Sequence, residues 1–460
     1  MSTPQALVDA ALGASTADDC IALLVTSSTA NLRWANNTLT TNGAMTSSHL
    51  TVISVVDGTA GAAAGVLTRA ATTTSQVEAL VAAADQAART AAPADDAAEV
   101  VAGEQAADWD LSAGHTNIDV FTGFARELGD AFGRAAGSDQ LLYGYVEQDV
   151  TTTYLATSRG LRLRHEQPTA HVGITGKPAD LSTSAWVGQA AENITDFSVS
   201  DLDAELVRRI GWAGRKVELP AGRYDTILPP TAVADLVIYA YFVSSGRDAH
   251  EGQTVFSDPR GGTRVGQQMV QSTVQLQSDP HLPALAATPF VTATSSDSTQ
   301  SVFDNGLSLR ATPWIADGRL QALGTSRHTA ELTGLGVTPL IDNLVLSVDG
   351  AQGQVDDLVS SADRALLLTC MWYIREVDPQ TLLLTGLTRD GVYLVEAGEV
   401  VGAVNNFRFN ESPIDLLNRF SAAGNSVRSF SREWGDYFPR TVTPPLRVPD
   451  FNMSSVSPAS

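Results

Sequence analysis

Ala232 to Ser244 is apolar nearly all the way round a helical wheel, and a helix without a polar face must be buried on every side. The chain around it has to supply that burial. Just before it, Tyr224–Leu228 reads as a strand. After Ser257 the sequence is rich in Gly, Pro, Asp and Thr and reads mostly as strand and turn through Pro449. Leu344–Val348, Ala365–Met371, Leu382–Thr388, Gly391–Glu396 and Glu399–Val404 are the clearest strands. The small, polar tail Asn452–Ser460 is expected to be disordered.

The first half has a different texture. Thr3–Ala14 is an amphipathic helix, with Thr3 as N-cap and Pro4 at the first helical position. Cys20–Thr26, Asn31–Asn36, His49–Asp57 and Gly61–Leu67 are separated by Asn-Asn, Asn-Gly and Asp-Gly signals and read as an antiparallel meander. Ser75–Thr90 returns to helical period, and Ala91–Asp110 reads as a loop or poorly ordered connector. A second unit opens with Asn117 as N-cap and a helix through about Ala136. Strands follow at Gln140–Glu147, Thr152–Ser158, Arg162–Glu166 and Thr169–Thr175, then a helix over Asp201–Val217. The expected fold class is α+β: a mixed N-terminal domain over 1–222, divisible into halves 1–92 and 115–222, and a mostly antiparallel β domain over 223–460 that holds the buried helix.

Composition narrows the function classes. The 460 residues are 43% apolar and 17% charged, with a formal net charge of −22. Such an acidic surface repels phosphate backbones, so nucleic-acid binding is not expected. No run of 18 apolar residues suggests a membrane span, and Met1-Ser-Thr-Pro-Gln has no basic region leading into an apolar one. Two cysteines, Cys20 and Cys370, cannot make a disulfide framework and fit a reducing cytoplasm. Both sit in apolar runs and read as buried core thiols.

The search for catalytic chemistry finds little. His165-Glu166 and His250-Glu251 resemble the start of a zinc-binding helix, but Thr169 and Thr254 stand where the second histidine is needed. His165 and His171 would share a strand face, although Pro168 interrupts the segment. No nucleophile elbow, phosphate loop or dinucleotide fingerprint is present, and Asp18-Asp19, Asp95-Asp96 and Asp356-Asp357 read as caps or solvent-facing pairs.

Several segments, taken in order, resemble the TldD/PmbA metallopeptidase family. They are Leu32-Arg-Trp-Ala-Asn-Asn37 with Asp57-Gly-Thr-Ala-Gly61, Gly252-Gln-Thr-Val-Phe-Ser257 with Arg264-Val-Gly-Gln-Gln268, and Asp279-Pro280. Further along come Phe303-Asp-Asn-Gly306, Ile315-Ala-Asp-Gly-Arg-Leu320, Thr333-Gly334 before Asn343-Leu344, Leu384-Thr-Gly and Gly391-Val-Tyr-Leu-Val-Glu396. TldD-like members of that family carry H-E-x-x-x-H on the helix after the strand matching Tyr224–Leu228, and a C-terminal cysteine ligand. Counting back from Thr254-Val-Phe-Ser257 places the histidines at Val237 and Phe242 and the glutamate at Ile238. No cysteine follows Cys370, and Asn305 stands where an acid is frequent.

The resemblance therefore implies a TldE/PmbA-like subunit with no cofactor of its own. Zinc would sit on a TldD-like partner in a heterodimer, with a homodimer possible when the chain is alone, and peptides would be the substrate. Two other readings stay open: a stand-alone homodimeric binding protein, or a peptidase whose ligands lie elsewhere, among His165, His171 or His250 and nearby acids.

Overall fold

The computed structural model describes residues 2–70 and 73–458. Its first half is one six-stranded antiparallel sheet. The strands are β1 (Asp19–Ala35), β2 (Thr38–Val56), β3 (Ala63–Ala70), β4 (Gln140–Thr157), β5 (Arg162–Pro178) and β6 (Ala185–Ala191), in the order β3-β2-β1-β4-β5-β6.

Four of these strands are far longer than their sequence suggests. The turn between β1 and β2 is the pair Asn36-Asn37, both at positive φ (51° and 58°), the left-handed geometry a tight hairpin requires and asparagine tolerates. The later Asn42-Gly43 makes no turn. It lies within β2, with Leu32 opposite Asn42 and Asn31 opposite Gly43. β5 likewise runs straight through Pro168, which stands opposite Val150. β6 accompanies β5 only from Ala170 onward, so Pro168 falls where the outer side of the strand is unpaired and a missing N–H is tolerated.

Alternate residues of the long strands build two adjoining cores on one face. Helices α1 (Pro4–Ala14) and α2 (Thr74–Thr90) cover Cys20, Ala22, Leu24, Leu50, Val52 and Tyr154. Helices α3 (Thr122–Gly137) and α4 (Val199–Trp212) cover Leu32, Trp34, Val146, Val172 and Ile174 at the other end. Thr3 caps α1 as expected, accepting from the Ala6 N–H; Asn117 instead caps a 3-10 turn, Ile118–Phe121, by accepting from the Asp119 N–H, and α3 starts only after it. α4 stops short of its expected end. It closes at Trp212 before Ala213-Gly214, and Lys216–Val217 becomes a short strand, β7. Glycine within the last expected turn disfavours continuing the helix. The connector 91–110 has no regular element, yet it is pinned: Val100 and Trp109 are buried, and Asp96 accepts from Ser301 Oγ at 2.6 Å.

Two more sheets follow. The smaller contains β9 (Val274–Ser278), β10 (Thr312–Ala316), β11 (Arg319–Leu320), β12 (Leu344–Val348), β20 (Val427–Ser429) and β21 (Thr441–Thr443), in the order β11-β10-β9-β12-β21-β20. The larger joins β7 and β8 (Gly222–Leu228) to β13 (Arg364–Leu368), β14 (Met371–Asp378), β15 (Leu383–Thr388), β16 (Val392–Glu396), β17 (Glu399–Val404), β18 (Phe407–Glu411), β19 (Ala422–Ala423) and β22 (Leu446–Val456). Its order is β14-β15-β18-β22-β8-β13-β16-β17-β7, with β19 beside β22. Most pairs are antiparallel; β12–β21, β8–β13 and β7–β17 are parallel.

Two expectations need correction. Ala365–Met371 is not one strand: the chain leaves the interior strand β13 at Leu368 and starts β14 at Met371, at an edge of the sheet with four strands between them. The tail is not disordered through Val456. β22 lies between β18 and β8, with Phe451 and Met453 fully buried; Ser457 and Pro458 follow it, and residues 459–460 lie outside the described residues. The apolar helix, α5 (Pro230–Phe242), shares one core with side chains of both sheets, among them Leu276, Trp314, Leu346, Leu368, Leu394 and Phe407.

Candidate functional site

The strand β8 delivers the chain into α5 through Pro229 and Pro230, and Pro230 at the first helical position needs no N–H partner. The three positions singled out by the family resemblance all lie on this helix. Val237 is 2% and Ile238 0% exposed, whereas Phe242 at the helix end is 39% exposed. Val237 borders a hollow of about 20 Å³ walled by Tyr241, Phe256, Leu276 and Trp314, an apolar lining of the kind that stays dry. Phe242 packs edge-on against Trp434 and Phe438, with ring centroids 5.9 and 5.7 Å away.

Sequence reasoning passed over the one charged side chain on the helix. Asp235 is fully buried. Its Oδ1 accepts from Ser431 Oγ and from the Glu433 N–H, the latter at 3.0 Å, while its Oδ2 has no partner. Burial pushes this carboxyl up to about 7, against the opposing pull of its hydrogen bonds. A lone Asp inside an otherwise apolar run was the available signal.

The contacts of Asp235 fasten residues 430–438 across α5. Trp434 Nε1 donates to the Asp235 carbonyl at 2.8 Å, and its ring meets Tyr239 and Phe242. Glu433 in turn accepts from the N–H groups of Tyr373 and Ile374 at 2.9 and 3.1 Å and pairs with Arg375. Those residues lie where the β14–β15 register slips between Trp372 and Arg375, so the carboxylate occupies backbone donors that a bulge leaves without a ladder partner. Arg432 is held between two indoles, 4.9 Å from the centroid of Trp186 on β6 and 4.3 Å from that of Trp372 on β14.

The other candidate residues scatter. His165 and His171 do share β5, but six residues of strand separate them by roughly 20 Å. His165 Nε2 meets Gln167 Oε1 at 3.0 Å. His171 stacks on Phe430, has Asp436 at 3.8 Å, and is held below its ordinary pKa by burial. His250 ends a short helix, Gly246–His250, and the adjacent Glu251 pairs with Arg247. Cys20 and Cys370 are buried free thiols, and burial raises both, Cys20 to about 12. The paired acids do cap or pair at the surface: Asp19 with Arg159, Asp356 with Arg208, and Asp357 with the Gln354 N–H. Asn305 is fully buried and acts as a loop clamp. Its Oδ1 accepts from the Ala293 N–H, and its Nδ2 donates to the Ala293 and Val302 carbonyls, each at 2.8 Å. A carboxylate could not make the two donations.

Comparison with known proteins places these features. The sequence model described as the PmbA/TldA metallopeptidase C-terminal domain matches residues 221–455, just over half of the chain. No curated protein matches. Among solved structures the chain is similar to TldE from Thermococcus kodakarensis, with a TM-score of 0.76 at 14% identity, covering 97% of this chain and 99% of that one. It is also similar to a putative modulator of DNA gyrase from Bacteroides thetaiotaomicron (TM-score 0.75, 14% identity, 98% of each chain). Another described in those words, from Thermotoga maritima, gives a TM-score of 0.72 at 15% identity over 94% of this chain and 95% of that one. At such identities the structural likeness speaks for the fold.

Proposed function

The chain belongs to the PmbA/TldA metallopeptidase family, and from that premise we propose that it is a non-catalytic subunit of a TldD-type zinc peptidase that handles small or unfolded peptides. The observation that carries the proposal is the content of α5. Zinc is held by thiolate, imidazole or carboxylate donors. Val237, Phe242 and Ile238, standing where the resemblance puts two ligands and the base, have no lone pair to give. The helix's one carboxylate, Asp235, faces Ser431 and Glu433 in the core. These residues do not fit a zinc ion.

What remains is the scaffold without its metal chemistry, which suits a subunit that shapes a chamber or admits substrate. In this reading zinc belongs to a TldD-like partner in a cytoplasmic heterodimer, the chain pairs with itself when that partner is absent, and the division falls near residue 222. Among the described residues no helix is long and apolar enough to cross a membrane.

Elemental analysis of chain purified without chelator or His-tag, followed by co-purification with a TldD-like subunit, tests the proposal. Zinc well below one equivalent and a stable complex are expected. A stoichiometric zinc that chelators remove would overturn it, because metal binding requires donors that α5 does not have.

A further inference from the structure

A cavity of about 170 Å³ opens between the loop 288–309, Ser326 and the segment Pro339–Asp342. Its polar wall is made of Thr288, Thr292, Thr299 and Gln300; Phe290 and Leu340 supply apolar wall. Two carboxylates face it, and they differ in kind. Asp304 is committed: it accepts from the Arg327 N–H at 3.0 Å and from Arg327 Nε at 2.6 Å. Asp342 makes no hydrogen bond or ion pair with any described residue. The cation that acts on it electrostatically, Arg440, donates instead to Thr169 Oγ1.

Asp342 lines this cavity and is exposed to it, and the protein packed around it lifts its carboxyl above the ordinary range. It shares the wall with Thr288, Thr292, Thr299 and Gln300, but Thr299 Oγ1 and Gln300 Nε2 donate to Asp297 and none of the four donates to Asp342, so its carboxylate is open to a donor from outside the chain. A compact cation with several N–H groups supplies such donors: a primary ammonium has three and no acceptor. The donor set suits a metal poorly, since among the described residues no three His, Cys, Asp or Glu side chains stand together. The apolar wall formed by Phe290, Val291, Leu309 and Leu340 matches the aliphatic part that would carry the ammonium.

We propose that this cavity binds the primary ammonium group of a peptide, with the Asp342 carboxylate as its counter-ion and the threonine hydroxyls and Gln300 completing the hydrogen bonds. The assignment deepens the peptide-handling reading and rests on it for the nature of the ligand. The site belongs to this chain alone and is tested without a partner.

The experiment is calorimetric titration of the isolated chain with three probes: Ala-Ala-Ala-amide, its N-acetylated form, and N-acetyl-Ala-Lys-Ala-amide. Physiological ionic strength screens the general acidity of the surface. Binding by the first or the third probe is expected, and which of them binds tells whether an α-amino or a lysine ammonium is taken. The neutral acetylated probe should bind at least tenfold more weakly. Asp342→Asn should weaken the ammonium probe by at least tenfold; it removes one charge of many, so non-specific attraction hardly changes. Thr292→Tyr, an exposed position at the rim, should obstruct entry with the charge intact. If ammonium and acetylated probes bind alike, if neither ammonium probe binds, or if Asp342→Asn retains wild-type affinity while its melting temperature shows it folded, the assignment is overturned. The subunit reading would stand, because it depends on zinc content and co-purification.

Discussion

Val237 borders a hollow of about 20 Å³ whose wall is mostly apolar and includes Tyr241. A second cavity, of about 170 Å³, has Asp342, Thr288 and Gln300 in its wall, with Leu340 and Asp342 flanking Ile341. Tyr241 joins the two, since its hydroxyl donates to the Ile341 carbonyl at 2.9 Å and accepts from the Ile341 N–H at 2.7 Å. In the first region the one charged side chain, Asp235, is strapped to Ser431 and Glu433 and raised by burial. In the second, Asp304, Thr299 and Gln300 are tied to protein partners, whereas the Asp342 carboxylate has none, which is tolerable only where water or a ligand reaches it. The helix on which the family resemblance places the metal ligands is packing in this fold, and the unpaired carboxylate lies in the segment that Tyr241 holds.

The hardest test of that contrast is to return a polar group to α5. Ile238→Glu places an unpaired carboxylate at a fully buried position and should lower the unfolding free energy by about 4 kcal/mol, read from urea denaturation. A near-neutral result would mean that water reaches this face of the helix, and the contrast would collapse.

Asp235→Asn sharpens the same side. The amide keeps an oxygen for Ser431 Oγ and the Glu433 N–H but cannot ionise. The folded carboxyl lies at about 7 against an ordinary 3.8, so the stability of the neutral form is fully present below about pH 4 and lost as pH rises through 7. The wild type should therefore lose ground to the variant across that window, at a slope approaching about 1.4 kcal/mol per pH unit, and hold level above it. A difference independent of pH would show that Asp235 does not titrate in the fold.

The smallest effect belongs to the joint. Tyr241→Phe removes the hydroxyl that serves both polar groups of Ile341 and should cost about 1–2 kcal/mol. Hydrogen exchange at the Ile341 amide should quicken, and ammonium binding at Asp342 should weaken with it. Unchanged exchange would mean that the two regions are neighbours without being coupled.

How much of this the sequence disclosed depends on which physical force dominated locally. α5 was legible because a helix apolar nearly all round must be buried on every side, and most strands of the larger sheet were legible from their own apolar runs. β1 and β2 read as fragments because Asn42-Gly43 is a turn signal by composition, and only pairing with Asn31 and Leu32 overrides it. The end of β22 from Asn452 onward reads as a disordered tail because its outward residues are Ser and Asn; the buried Met453, following Phe451, carries the alternation. β6 was not anticipated at all. At the site, the apolar character of Val237 and Ile238 could be read directly. The partners of Asp235 lie almost two hundred positions away, and Asp342 becomes notable only once Arg440 is seen to turn toward Thr169. Tertiary pairings of that kind leave no local trace.

The position of β22 bears on the order in which the chain is made. The first sheet has all its strands once Ala191 has been synthesised. β8, the strand that leads into α5, finds its neighbours only in Arg364–Leu368 and Leu446–Val456. Until Val456 has left the ribosome, β8 and β18 each expose an unfilled edge and α5 has an incomplete cover. The first sheet can thus close as an early folding unit during synthesis. The larger one depends on pairings between distant parts of the chain, which form slowly, and during that wait the nascent protein is most exposed to aggregation and most in need of a chaperone.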